Sequence, residues 1–346
     1  MEINYCLFNI KNYIINSKLM EIPLLIVLTP VFNEAWILPA FLKATSLWAD
    51  YIIIADQMST DGSREIYKKF EKVIVIDNPR KEMHQARTRQ MLFEEAKKIP
   101  GNKILFTLDA DEFLSGDFKN TESWNNILNS VPGDVFEFRW MNLREDATKY
   151  STWQHYYWAV HIKDNNLEGK FPDNFIHEWR LPWPKHVNKE YIIDDISFLH
   201  FARVNVKRQF NKERFYQIST ASKMNTYSGV GFYRQYHPLK DEVWYDLPKT
   251  VYNYYLENNV DFLGLINLHD EGFHYTTNVL NYISEFGINK FAKLDVWGKE
   301  FLQKNNLKDP RNIFHKILHS YLRFTNKYQK TIIIRGFDKI LKILGC

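Results

Sequence analysis

Lys103–Glu112 reads KILFTLDADE, a short apolar run that passes directly into three acids. A run of this length, rich in Ile, Leu and Phe, suits a strand covered on both faces, as in a parallel sheet. Asp109, Asp111 and Glu112 then stand at its carboxyl end. The same grammar recurs three times upstream. Ile22–Thr29 (IPLLIVLT) is an apolar strand that ends at Pro30, Tyr51–Ala55 (YIIIA) runs into the turn-rich DQMSTDGS, and Val73–Ile76 makes a third. Between them, Glu34–Ser46 carries Ile37, Leu38, Phe41 and Leu42 at helical spacing. Asp61, Gly62 and Ser63 open a helix through Phe70, and Glu82–Lys98 forms another, stopped by Pro100 and Gly101. This alternation predicts an α/β fold, Rossmann-like, with a mostly parallel central sheet and helices on both faces. Ligands in such sheets bind outside the carboxyl ends of the strands, near a topological switch point. Pro30–Glu34, Asp56–Gly62 and Asp109–Glu112 all fall at those ends.

Beyond Asp134 the pattern changes. Val135–Met141 (VFEFRWM) alternates as a strand with two unlike faces, and further strands are expected at Trp153–Ile162, Phe175–Leu181 and Ile192–His200. Past Val204 the chain reads as mainly helical. The expected organisation is an N-terminal extension (1–21), a catalytic domain (22–203) with a nucleotide half (22–116) and an acceptor half (117–203), and a C-terminal region (204–346). No repeat of fixed period interrupts it.

Composition narrows the class. Hydrophobic residues make up 45% and charged residues 25%, which excludes long disorder. Cys6 and Cys346 sit at opposite ends, so there is neither a disulfide framework nor a zinc-ligand spacing. Met1–Met20 mixes Asn, Lys and Tyr into its apolar residues and lacks a signal-peptide core, and no apolar run is long enough to span a bilayer. A cytoplasmic location is therefore expected. Residues 311–346 hold eight Lys or Arg against the single acid Asp338, a net charge of +7. Apolar residues recur there at helical spacing. A basic amphipathic segment of this kind either packs on the protein with a solvated basic face or lies on the inner face of an anionic membrane. No nucleic-acid-binding module accompanies the charge.

The acids carry the chemistry. Carboxylates this close repel one another and need a cation or hydrogen-bond donors to stay ionised. Hard oxygen ligands select Mg²⁺ or Mn²⁺, which bind few protein carboxylates together with substrate phosphates. An isolated Asp-x-Asp is ordinarily a solvated turn capping a helix. The strand before this one, and the matching upstream clusters, favour a site. Asp56, at the end of its strand, is placed to accept hydrogen bonds from a base or ribose, whereas Ser59 or Asp61 can be explained as helix caps.

TPVFNE (Thr29–Glu34), ADQMSTDGS (Ala55–Ser63), ARTRQ (Ala86–Gln90) and LDADE (Leu108–Glu112), in this order and spacing, resemble glycosyltransferase family 2, of GT-A fold, in a non-processive bacterial branch with a DADE motif. The resemblance implies an inverting hexosyl transfer from a nucleotide-diphosphate sugar, a UDP-sugar foremost, to a glycan or lipid-linked acceptor. By the same resemblance Pro30, Glu34 and Asp56 hold the nucleoside, Asp109 lies near the ribose, Asp111 ligates the metal and Arg89 approaches the phosphates. Within PDNFIHEW, Glu178 is the first candidate for the general base and Asp173 the second. Paired with Arg180, Glu178 would instead be an ordinary strand residue. His200 resembles a late metal ligand of some GT-A enzymes, although a lone His after a strand is more often structural. RQFNKERF (Arg208–Phe215) does not fit the signature of processive members, which favours transfer of one sugar at a time. A sugar nucleotidyltransferase would carry a glycine-rich loop after the first strand, where this chain has Pro30–Glu34. A catalytically silent sugar- or nucleotide-binding module is the remaining alternative.

Overall fold

The computed structural model describes residues 22–79, 85–116, 118–144, 147–163, 180–237, 243–261 and 263–346, with backbone only at 153, 154 and 157. The N-terminal extension and most of the strand expected at Phe175–Leu181 lie outside the described residues; Arg180 and Leu181 form a bend. The chain divides into two compact units. The first draws on the described residues within 1–143, 152–201 and 247–267, and the second on those within 144–151, 202–246 and 268–346. The linear division at 203/204 expected from sequence carries no such interleaving.

The first unit is built on the sheet order β3-β2-β1-β4-β7-β6-β8-β5. Strands β1 (Leu24–Val31), β2 (Tyr51–Asp56), β3 (Val73–Asp77) and β4 (Asn102–Thr107) are parallel. The order reverses at β1, between β2 and β4, which makes the carboxyl ends of β1 and β4 the switch point. The parallel half stops at β4, which pairs antiparallel with β7 (Lys149–Lys163). Beyond it, β6 (Val135–Leu143) runs parallel to β8 (Glu190–His200), and the short β5 (Glu112–Leu114) closes the edge antiparallel to β8.

Side chains of period two sort onto the two faces of the sheet. Ile26, Leu28, Ile53, Ala55 and Leu105 pack under Leu92, Phe93 and Ala96 of α3 (Gln85–Lys97). Phe106, one residue on from Leu105, belongs to an aromatic cluster on the other side, with ring centroids 5.1 Å from Trp48 and 6.2 Å from both Trp124 and Phe138. Trp48 follows α1 (Leu38–Ser46), and Trp124 lies on α4 (Glu122–Leu128). Helix α1 starts later than the sequence pattern suggests. Pro39 favours the first turn of α1, and the peptide of Glu34 is used in a turn that accepts from Ile37 and Leu38 instead. Helix α2 (Ser63–Tyr67) follows Gly62, whose φ of +96° suits a residue without Cβ.

The second unit is mainly helical, as expected past residue 204. It contains α5 (Val206–Ser222), α6 (Gly229–Tyr236), α8 (Phe273–Phe286), α9 (Lys299–Lys304), α10 (Ile313–Thr325) and α11 (Ile332–Ile343). α7 (Asn253–Glu257) belongs to the first unit. In the second unit the two-residue β9 (Tyr245–Asp246) pairs with the first residues of β7.

Phe106→Ala is expected to lower the unfolding free energy by about 3–5 kcal/mol, the usual range for emptying a buried aromatic site, as read by urea titration. His161 in β7 supplies a pH test. Its Nδ1 lies 2.8 Å from Ser130 Oγ, and burial pushes its pKa down to about 4. The neutral ring is favoured in the folded state, so its contribution is present above about pH 6.5 and lost as pH falls toward 4. His161→Gln should flatten the decline of Tm across that window relative to the parent chain.

Candidate active site

The loops leaving β1 and β2 are laced together at the switch point. Asn33 takes φ of +57°, a conformation its short polar side chain tolerates. Its N–H donates to Ser59 Oγ (2.9 Å), and its Oδ1 accepts from the Thr60 N–H (2.7 Å). The Glu34 N–H donates to Ser63 Oγ (3.1 Å) and the Ala35 N–H to Asp61 Oδ2 (2.9 Å). Glu34 Oε2 accepts from the indole of Trp36 (2.6 Å), and Pro30 lies half-buried opposite Ala55. The loops are thus held by each other rather than by helix dipoles alone.

Asp56 has 0% of its surface exposed and accepts from Ser59 N–H (3.1 Å), Arg64 Nη1 (2.6 Å) and Tyr67 OH (3.0 Å). Arg64 continues to Asp77 (2.7 Å) at the end of β3. Burial, and next the charge of Asp56, raise the Tyr67 hydroxyl far above its usual range, so it stays a donor. A ligand would meet the Asp56 carboxylate only by displacing Arg64 or Tyr67. Its contribution here is to fix the loop, not to offer an open oxygen.

The acid cluster follows from register. Leu108 N–H still bonds Leu28 O (3.1 Å), so Asp109 stands just past the end of β4. Glu112 opens β5 and lies opposite His200 of β8, while Asn142 of β6 lies opposite the same His200 from the other side. The fully buried Glu112 accepts the Asp109 N–H (2.9 Å). It also takes a two-pronged ion pair from Arg180, with Nη2 donating to Oε1 at 2.7 Å and Nη1 to Oε2. Arg180 Nη2 extends to Asp109 Oδ2 (3.3 Å), and the guanidinium sits over the rings of Trp158 (5.2 Å) and Trp140 (5.7 Å). From the other side, Arg89 Nη2 lies 3.6 Å from Asp109 Oδ1. Arg89 is only 5% exposed, and its Nε and Nη1 have no hydrogen-bond partner among the described residues.

Charge balance explains the shifts. Burial pushes Glu112 up, to about 7, against the opposing pull of Arg180. Burial and the like charge of Arg180 push Arg89 down, to about 10, which leaves it a cation at neutral pH. Burial works to lower Arg180 as well, but Asp109 and Glu112 overcome it and its pKa is raised. The donors required by crowded carboxylates are therefore two guanidinia, the buried Arg89 and the partly buried Arg180, serving Asp109 and Glu112.

Asp111 is treated differently. His200 Nδ1 donates to Asn142 Oδ1 (2.7 Å), and its ring lies 4.5 Å from that of Trp140. Nε2 thereby turns to Asp111 Oδ2 at 3.7 Å. Imidazole nitrogen and carboxylate oxygen, with the histidine tautomer fixed from behind, suit a hard divalent cation or a proton between them. Among the described residues no three His, Cys, Asp or Glu side chains gather as a complete cage. Divalent ions that bridge phosphates need few protein ligands.

The structure thus brings Arg89, Asp109, Asp111 and His200 together. Pro30, Glu34 and Asp56 belong to the laced β1 and β2 loops at the same sheet ends. Glu178 and Asp173 lie outside the described residues. Sequence reasoning missed Asn142, Trp140 and Trp158, and treated Arg180 only as a partner for Glu178. The one local signal was the density of tryptophan and charge in the second-half strands.

The polar clusters at the carboxyl ends of β1, β2 and β4, beside the switch point, stand where α/β folds of this class bind ligands. Residues 26–120 match the family model described as glycosyl transferase family 2. That segment contains Pro30, Glu34, Asp56, Arg89 and the acid cluster, but not Asn142, Arg180 or His200. No curated protein matches the chain. Among solved structures, a nucleoside-diphosphate-sugar pyrophosphorylase from Vibrio cholerae RC9 is similar at 8% identity and a TM-score of 0.25, over 42% of this chain and 68% of that one. That likeness is too slight to bear on function.

Removing Arg180 would leave the buried Glu112 carboxylate unpaired and should be costly, whereas removing both partners should cost much less. Arg180→Met is expected to destabilise by about 3–5 kcal/mol, and adding Glu112→Met should recover most of that loss in urea unfolding. Equal losses in the single and double variants would mean that Arg180 does not chiefly neutralise Glu112.

Proposed function

We propose that the chain is a glycosyltransferase that moves one sugar at a time from a nucleotide-diphosphate sugar, a UDP-sugar foremost, to a glycan or lipid-linked acceptor. The observation that carries this reading is Arg89, a buried cation with two donor atoms unmatched among the described residues, beside Asp109 at the switch point. A buried cation with unmet donors is costly in the free protein, and an anionic group that accepts from it offsets that cost. The match of residues 26–120 to glycosyl transferase family 2 supports a nucleotide-sugar as the anion's source.

In this reading the laced loops of Pro30–Glu34 and Asp56–Gly62 form the nucleoside seat, with Asp56 acting through the loop it braces. Asp109, held between Arg89 and Arg180, faces the ribose, and Arg89 meets the charge that develops on the departing diphosphate. Asp111 and His200 are the residues that would hold Mn²⁺ or Mg²⁺, which when bound supplies further charge stabilisation to the diphosphate. In the transfer, the acceptor oxygen bonds to the anomeric carbon as the bond to the diphosphate oxygen breaks, with inversion in one displacement. The acceptor proton passes to a carboxylate, for which Glu178, two residues before Arg180 in the chain, is our first choice and Asp173 the second. A nucleotidyltransferase is less well supported, because the turn after β1 lacks the glycine-rich phosphate loop.

Calorimetric titration of UDP with and without Mn²⁺ tests the reading. Binding should depend on the metal and be lost in Asp111→Asn. Arg89→Met should weaken it about 10- to 100-fold, the value of a charge-assisted hydrogen bond. Failure of both UDP and GDP to bind with metal present would overturn the proposal in favour of a silent module.

A further inference from the structure

The two C-terminal helices of the second unit are amphipathic in a way that their own packing does not use up. α10 buries Leu318, His319, Leu322 and Thr325. Leu318 and Leu322 form a cluster with Val230 and Tyr233 of α6 and with Cys346. On the same helix, Ile313 (78% exposed), Phe314, Ile317 and Phe324 (75% exposed) make a second, outward stripe. α11 repeats this on a larger scale: Ile332 (88% exposed), Ile333, Phe337, Ile340, Ile343 (77% exposed) and Leu344 all face outward. Residues three, four and seven apart share a helix face, so each set is one continuous apolar stripe. Isolated exposed apolar residues are ordinary, but two stripes on consecutive helices are not.

On α10, Lys316 and Arg323 pair with Asp309 and Asp295, but the charge beside the α11 stripe has one sign. Lys330, Arg335, Lys339 and Lys342 are exposed and carry no ion pair among the described residues. On α11, Arg335, Lys339 and Lys342 flank the stripe along one side by helical spacing. The only acid of the segment, Asp338, is turned inward, where it accepts from Arg234 Nε (2.8 Å) and Tyr321 OH (3.1 Å). Its charge is therefore neutralised within the unit and does not offset the outer lysines. Two copies of this face brought together would oppose like charges, whereas an anionic surface would meet them with the opposite sign. Among the described residues no helix is long and apolar enough to cross a membrane.

We propose that α10 and α11 dock on an anionic phospholipid bilayer, lying in the plane of the interface. The outward Ile and Phe side chains enter the boundary between headgroups and acyl chains, and the Lys and Arg side chains reach the lipid phosphates. The inference stands on this surface alone and is independent of the sugar-transfer reading.

Vesicle flotation of the full chain tests it, using phosphatidylcholine alone and phosphatidylcholine mixed with phosphatidylglycerol. The chain should float with the mixed vesicles, not with phosphatidylcholine alone, and added salt should weaken the association. Lys339→Ser and Lys342→Ser should each weaken it about fivefold, and Ile333→Ser with Phe337→Ser by about tenfold or more. All four side chains are exposed, so an unchanged circular dichroism melt would separate lost docking from lost folding. Equal flotation with both vesicle types, or with neither, would overturn the proposal. So would a dimer in sedimentation velocity that Ile333→Ser with Phe337→Ser dissolves, which would make the face a self-association surface.

Discussion

The candidate site depends on the ion pair between the partly buried Arg180 and the fully buried Glu112. Glu112 opens β5, faces His200 across the antiparallel pairing with β8, and accepts the N–H of Asp109 just past β4. A single carboxylate thus joins the end of the parallel half to the edge of the sheet. Arg180 completes it with two parallel hydrogen bonds while resting on Trp158 and Trp140. Planar guanidinium suits both demands at once, since it matches a carboxylate edge-on and an aromatic ring face-on. Burying such a pair gains little net stability. It fixes geometry, because separating the partners leaves an uncompensated charge in the interior.

The pair also divides labour among the acids. Asp109 and Glu112 are served by arginines and positioned by the backbone, so their charges are balanced before any ligand arrives. Asp111 faces His200, whose other nitrogen is engaged by Asn142. The arrangement separates carboxylates that hold the scaffold from one suited to a cation. Arg89 stands between the two functions, buried and close to Asp109, with donor capacity that the described residues do not fill. Preorganised charge of this kind needs no reorganisation when an anion binds or when charge develops on a leaving group.

The second unit uses amphipathicity twice. One side of α10 satisfies the core, with Leu318 and Leu322 against α6, and the other presents Ile313, Ile317 and Phe324 to the outside. α11 buries little beyond Asp338, whose ion pair with Arg234 anchors the helix through charge instead of apolar area. The packing that holds these helices in place thus leaves their most apolar surface uncovered.

The sequence by itself determined the parallel half of the sheet and the position of the polar clusters. Runs such as LLIVLTPV and YIIIAD, too short for buried helices and bounded by turn residues, read as inner strands, and the residues after them then stand at the carboxyl edge. Arg89 was singled out by the resemblance of ARTRQ to a family motif, not by periodicity. Only the tertiary structure decided what surrounds the acids. Arg180 is 68 residues from Glu112, and Asn142 is 58 residues from His200. Asn142 and His200 meet because β8 lies between β6 and β5, an order that no local periodicity encodes. The return of residues 247–267 to the first unit is likewise a matter of long-range packing. In α10 and α11 the spacing marked apolar stripes, but which stripe is buried depends on where α6 presents its own apolar face. Periodicity specifies that a helix has sides; the neighbours choose which side is covered.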